Sequence, residues 1–149
     1  MKLVHKALAV LLAASGASFP LVALSAQGNI TSTLVGMALG ASVFGYEAGS
    51  RGYYDVLPSN TYTDLKYDLV RGYNYSMIAA CDDDECQDLD LEVYGPDGRS
   101  RITSATSNDT KESVFLLARE SGTYYFRVIM RGCRLASCEY GVQILYQKK

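Results

Sequence analysis

The sequence predicts an all-β protein, an antiparallel, jelly-roll-like β-sandwich of about eight strands preceded by a short N-terminal helix. Three observations carry this expectation. Beyond Gly52 the chain runs in short segments of alternating apolar and polar residues closed by Gly, Pro, Asn, Asp or Ser, the texture of half-buried antiparallel strands. All 12 tyrosines lie from Tyr46 onward. Ahead of them, Ile30 to Tyr46 carries no charge, and Ile30, Leu34, Met37, Ala41 and Phe44 recur at helical spacing.

The elements follow in order. Met1 to Lys6 carries Lys2 and Lys6, Ala7 to Ala14 is unbroken and apolar, and small residues continue to Ala26, so residues 1–26 are expected to be a secretory signal. Cleavage after Ser25 and after Ala26 both remain open. The helix is expected over residues 29–46, capped by Asn29 or Ser32. Its Gly36 and Gly40 form a G-x-x-x-G pair, but the segment is marginal for a membrane span and is expected to pack on the sandwich. Residues 52–149 make the sandwich. Tyr53 to Leu57 opens it. Thr61 to Val70 alternates Thr63, Leu65, Tyr67 and Leu69 against Asp64, Lys66 and Asp68, and Tyr75 to Cys81 is apolar enough for a central strand. Leu89 to Tyr94 turns Leu89, Leu91 and Val93 inward, and Gly95-Pro96-Asp97-Gly98 is a hairpin turn with Pro and Gly where their backbone angles are wanted. A polar edge strand over 99–106 and strands over 113–118, 123–131 and 139–147 complete the set.

At 149 residues and 16.3 kDa the chain suits a single core. A net charge of -2 and pI near 5.3 offer no basic footprint for nucleic acid. The single histidine, His5, lies inside the expected signal, so the exported domain has no imidazole for a triad, a zinc site or acid/base work. No G-x-S-x-G, H-E-x-x-H, P-loop or dinucleotide motif occurs, and a non-enzymatic role is expected.

Leu89 to Gly98 (LDLEVYGPDG), Ser121 to Val128 (SGTYYFRV) and Tyr140, Val142 and Ile144 together resemble the bacterial pre-peptidase C-terminal domain. Its pattern is an aspartate-led strand and P-x-G turn, then a G-x-Y-x-x-x-V strand and a closing Y-x-L-x-V strand. The run from Cys81 to Leu91 (CDDDECQDLDL) is similar to a signature of small stand-alone secreted members with an N-terminal helix, one residue longer between the cysteines. The resemblance implies a non-catalytic β-sandwich accessory module, in some cases calcium-binding. No peptidase domain precedes it in this sequence.

Cys81, Cys86, Cys133 and Cys138 form two C-x4-C pairs, each placed in an expected hairpin connection. Local pairing, Cys81 with Cys86 and Cys133 with Cys138, is the simplest of three connectivities, with a four-cysteine zinc site as the alternative. Eight of the sixteen acidic residues lie between positions 82 and 97 without a Lys or Arg among them. Asp88, Asp90 and Glu92 are expected to share one strand face at intervals of about 6.6 Å, where like charges repel unless bridged. Two accounts fit. Ca²⁺ held by Asp82, Asp84, Asp88 and Asp90 would relieve the repulsion, or the run is a solvated loop whose carboxylates cap turn N–H groups. Tyr53, Tyr54, Tyr73 and Tyr125 are candidates for a binding face, with core and cross-strand packing as their other role. The function expected is a secreted or periplasmic binding module of the cell envelope, its partner an exported protein or an envelope glycan, without nucleic acid and without a stable membrane span after signal cleavage. The alternative is a Ca²⁺-stabilised structural domain that assists another exported protein.

Overall fold

The computed structural model describes residues 21–49 and 52–148, with side chains from Gly28 onward. Most of the expected signal therefore lies outside the described residues. The backbone enters as a helix, α1 (Leu21–Ser42), and continues through nine strands: β1 (Glu47–Ala48), β2 (Tyr53–Pro58), β3 (Thr61–Leu69), β4 (Asn74–Cys81), β5 (Cys86–Tyr94), β6 (Arg101–Ala105), β7 (Lys111–Leu117), β8 (Gly122–Cys133) and β9 (Ser137–Gln147). One sheet has the order β1-β9-β4-β7, with β2 also pairing along β9, and the other has the order β3-β8-β5-β6. All pairings are antiparallel. The arrangement is the nested order of a jelly roll.

Alternation builds the core. Leu65, Tyr67 and Leu69 of β3, Leu89, Leu91 and Val93 of β5 and Tyr124, Phe126 and Val128 of β8 turn inward and meet Met77 and Ala79 of β4 and Tyr140, Val142 and Ile144 of β9. The outer face of the first sheet is apolar too. Ile78, Ala80 and Leu145 there are buried beneath Ile30 and Leu34 of α1. Helix and sheet meet at Gly141, where a Cβ would stand 2.7 Å from Ile30 Cγ2 and 2.8 Å from Tyr54 Cε1.

Four expectations are corrected. The helix occupies Leu21–Ser42 rather than 29–46. Gly45, at φ +83°, closes it, with Gly45 N–H donating to Ser42 O and Tyr46 N–H to Ala41 O in a Schellman arrangement. Asn29 and Ser32 are not caps; the Ser32 and Thr33 hydroxyls donate back to the Asn29 carbonyl inside the helix. No strand is expected between the helix and Tyr53, yet β1 lies there and pairs with the end of β9. The cysteine loops are not hairpins: β4 lies in the first sheet and β5 in the second, and β8 and β9 are likewise divided. Of the connections between consecutive strands, Gly95-Pro96-Asp97-Gly98 alone joins neighbours in one sheet, β5 and β6, with Gly98 at φ +66°.

The two disulfides are Cys81–Cys86 and Cys133–Cys138. Each ties one sheet to the other, and Cys86 pairs with Cys133 across β5 and β8, so both staples sit side by side at one end of the sandwich. Each short loop contributes on the order of 2 kcal/mol by chain-entropy reasoning.

Candidate functional site

The outer face of the second sheet gathers the chain's polar chemistry. On β8 the residues between the buried Tyr124, Phe126, Val128 and Met130 are Thr123, Tyr125, Arg127, Ile129 and Arg131, which a period of two turns outward. Register sets their neighbours. Arg127 lies between Asp64 of β3 and Glu92 of β5, and Tyr125 lies between Lys66 and Tyr94.

Arg127 is the centre of this face. Its Nε donates to Asp64 Oδ1 at 2.8 Å and its Nη2 to Asp64 Oδ2 at 2.9 Å, a two-pronged pairing only a guanidinium makes. The same guanidinium carbon lies 4.0 Å from the Tyr62 ring centroid and 4.8 Å from that of Tyr94. The Asp64 hydrogen bonds hold the guanidinium proton well above its ordinary range. Beside it, Arg101 Nη1 donates to Glu92 Oε1 at 2.7 Å, and the Tyr94 hydroxyl donates to Glu92 Oε2 at 2.6 Å. Burial alone would raise the Glu92 carboxyl, but these two donors outweigh it and hold the group below its usual range. Arg131 Nε donates to Asp90 Oδ2 at 2.6 Å. The Lys66 ammonium lies 5.5 Å from the Tyr125 ring centroid.

In the outer two pairs the carboxylate is the buried member. The Asp90 and Glu92 side chains are 6% and 10% exposed, against 50% for Arg131 and 56% for Arg101. A molecule approaching this face meets guanidinium edges and tyrosine rings held in place from below. Tyr and Arg are the residue types enriched where proteins bind proteins.

The expected calcium ligands are not drawn together. Asp82 Oδ1 accepts the Asp84 backbone N–H at 3.0 Å in a turn, Asp84 is exposed, and Asp90 is held by Arg131. Asp88 sits at a register shift in the ladder between β5 and β8. Its Oδ1 finds no protein hydrogen-bond partner, and burial followed by the nearby Asp90 charge raises its carboxyl. Among the described residues no group of three or more His, Cys, Asp or Glu is placed to hold a metal ion.

The expected tyrosine face is likewise dispersed. Tyr53 donates to Asp55 Oδ2 at 2.7 Å and lies near Tyr140 at the edge of the first sheet. Tyr54 packs at Gly141 and accepts a hydrogen bond from Thr31 of α1 at 3.0 Å. Tyr73 stacks on Tyr75 and neighbours Tyr146. Of these four only Tyr125 belongs to the arginine-centred face, whose other rings are Tyr62 and Tyr94, on the polar side of the alternation in β3 and β5.

No family model and no curated protein matches the chain. Among solved structures the chain is similar to PliG of Aeromonas hydrophila, a periplasmic inhibitor of g-type lysozyme. The two share 15% identity at a TM-score of 0.53 over 67% of this chain and 88% of that one. It is also similar to a de novo designed double-stranded β-helix, at 15% identity and a TM-score of 0.37 over 64% of this chain and 99% of that one. The PliG likeness concerns the β fold. No helix among the described residues is long and apolar enough to cross a membrane.

Proposed function

We propose that the chain is a non-catalytic, exported module that binds another protein through the outer face of its four-stranded sheet. The observation that carries this reading is Arg127, fixed by Asp64 and stacked between Tyr62 and Tyr94. Binding costs least where side chains are already held, and Asp64, Tyr62 and Tyr94 hold this guanidinium from within the sheet. Export is supported by the secretory pattern of residues 1–26 and by two disulfides, which persist in oxidising compartments. A kinship with the pre-peptidase C-terminal domain is part of the proposal. It is supported by the inward Leu89, Leu91 and Val93, the Pro96 turn after them, and Gly122 opening β8.

The first defined protein to try is a g-type lysozyme, the partner named for the PliG neighbour. The test is calorimetric titration of the exported chain with that enzyme, followed by photo-crosslinking from position 62 in the native envelope. One protein adduct formed from position 62, absent from position 115 and lost in Arg127→Ala, is the expected result. An adduct with glycan alone, or no adduct, overturns the reading.

A further inference from the structure

The opposite side of the molecule has a different character. Six large apolar side chains stand 42% to 82% exposed there: Val35, Leu39, Val43 and Phe44 at α1 and its end, and Phe115 and Leu117 on β7. The helix covers β9 and β4 of the first sheet and leaves β7 bare. Between α1 and β7 runs a groove of about 540 Å³ walled by Met37, Ala41, Phe44, Ile78 and Phe115, with no charged residue in its lining. Leu21–Ser42 itself contains no Asp, Glu, Lys or Arg. From Leu34 to Ala41 the helix is apolar on every side, a composition ordinarily buried all round, and this stretch is buried on one side only.

We propose that α1 and the groove beside it form a twofold interface with a second copy of this chain. A twofold interface needs one patch that complements itself, so a ridge and a groove must lie together on the same surface. Here they do: Leu39 and Val43 stand on the helix whose Met37 and Ala41 wall the groove. Charge decides between occupants. A partner's charged group buried here would find no counter-charge and would pay its full desolvation, so the occupant must be uncharged over this area. The surface of this chain that matches is this same face on another copy, since the other sheet's outer face carries Asp64, Glu92, Asp90 and three arginines. A bilayer is the poorer match, because helices that lie in membrane interfaces carry Lys or Arg along the polar side and this one has neither. Gly36 and Gly40 meet nothing within 4 Å where a Cβ would stand, which leaves the backbone open to close approach by a second helix. The pairing leaves the arginine-centred face free, so it stands or falls apart from the proposed function.

Sedimentation equilibrium of the full exported chain, from micromolar to sub-millimolar concentration, tests it. The expected result is twice the chain mass, reduced to the single mass in Leu39→Glu with the same circular dichroism and melting temperature as the parent. If Leu39→Glu fails to fold, Phe115→Ser reads the same interface from the opposite wall. A single mass for the parent at every concentration overturns the proposal, as does a double mass that persists in the folded variant. Flotation of the parent with neutral phosphatidylcholine vesicles would overturn it in favour of a bilayer.

Discussion

Arg127 and Tyr62 form a stacked pair, the guanidinium carbon 4.0 Å from the ring centroid, and the same guanidinium is forked onto Asp64. Two strands, β3 and β8, are thereby joined by side chains as well as by their ladder. Arg127→Ala should cost about 1–2 kcal/mol of stability, from a lost partly buried ion pair and two ring contacts. Arg127→Lys should recover little, because an ammonium cannot fork onto the carboxylate. Urea melts read both values; equal stability of the Lys variant and the parent would mean the fork contributes nothing.

The paired staples at one end of the sandwich should act locally. Replacing Cys133 and Cys138 together by serine is expected to lower stability by on the order of 2 kcal/mol while preserving the fold. The β sheet should keep its far-ultraviolet signature, and amide exchange should accelerate at the ends of β5, β8 and β9 ahead of the opposite end. Uniform acceleration across both sheets would show that the staples hold the whole domain.

Gly141 is the point where helix meets sheet. Gly141→Ala places a methyl against Ile30 and Tyr54 with less than 3 Å between centres, so α1 must shift or the strand must bend. An overpacking cost of about 1–3 kcal/mol is expected. Tyr54 fluorescence and thermal melting measure it, and an unchanged melting temperature would mean that α1 does not rest on this residue.

Acidic groups pull the pH profile in two directions. Asp88 and Glu139 have raised carboxyls, in both cases chiefly through burial, and then through Asp90 for the first and through Glu85 and Asp82 for the second. The folded state thus prefers them protonated, and stability should rise as pH falls from neutral toward the ordinary carboxylate range. Asp97 is lowered to about 2 by the Ser100 hydroxyl and the backbone N–H groups of Arg99 and Ser100. Glu92 is lowered too, because the hydrogen bonds from Tyr94 and Arg101 outweigh its burial. Their contribution is present above the unfolded carboxylate range and is lost as pH drops through the folded values. Melting temperature should therefore peak at mildly acidic pH, and Asp88→Asn should raise it at pH 7 and flatten the rise. Millimolar Ca²⁺ should leave it unchanged while Arg131 holds Asp90; a shift of several degrees would instead support the Ca²⁺-stabilised domain that the sequence offers as the alternative.

Periodicity carried most of the fold. The alternation of β3 and β5 and the Gly95 to Gly98 hairpin are legible in the sequence because alternation and turn chemistry are local. The cysteine arches look like hairpins in the sequence because a C-x4-C loop has the same length whether it turns within a sheet or crosses between two. Within the acidic run, Glu92 is paired with Arg101 and faces Arg127, and Asp90 is paired with Arg131, 41 residues away in sequence. A one-dimensional count of like charges misses cross-strand neighbours, and so it missed the arginine-centred face.

The pairing of β2 with β9, Tyr53 opposite Val142, sets the order in which this molecule is finished. β2 waits for β9, so the larger sheet is incomplete until residues 137–147 have been made. Nested, non-local pairing of this kind makes folding slow. A chain that cannot close its larger sheet early stays extended for longer, while each cysteine pair, only five residues apart, can close without waiting for the sheet.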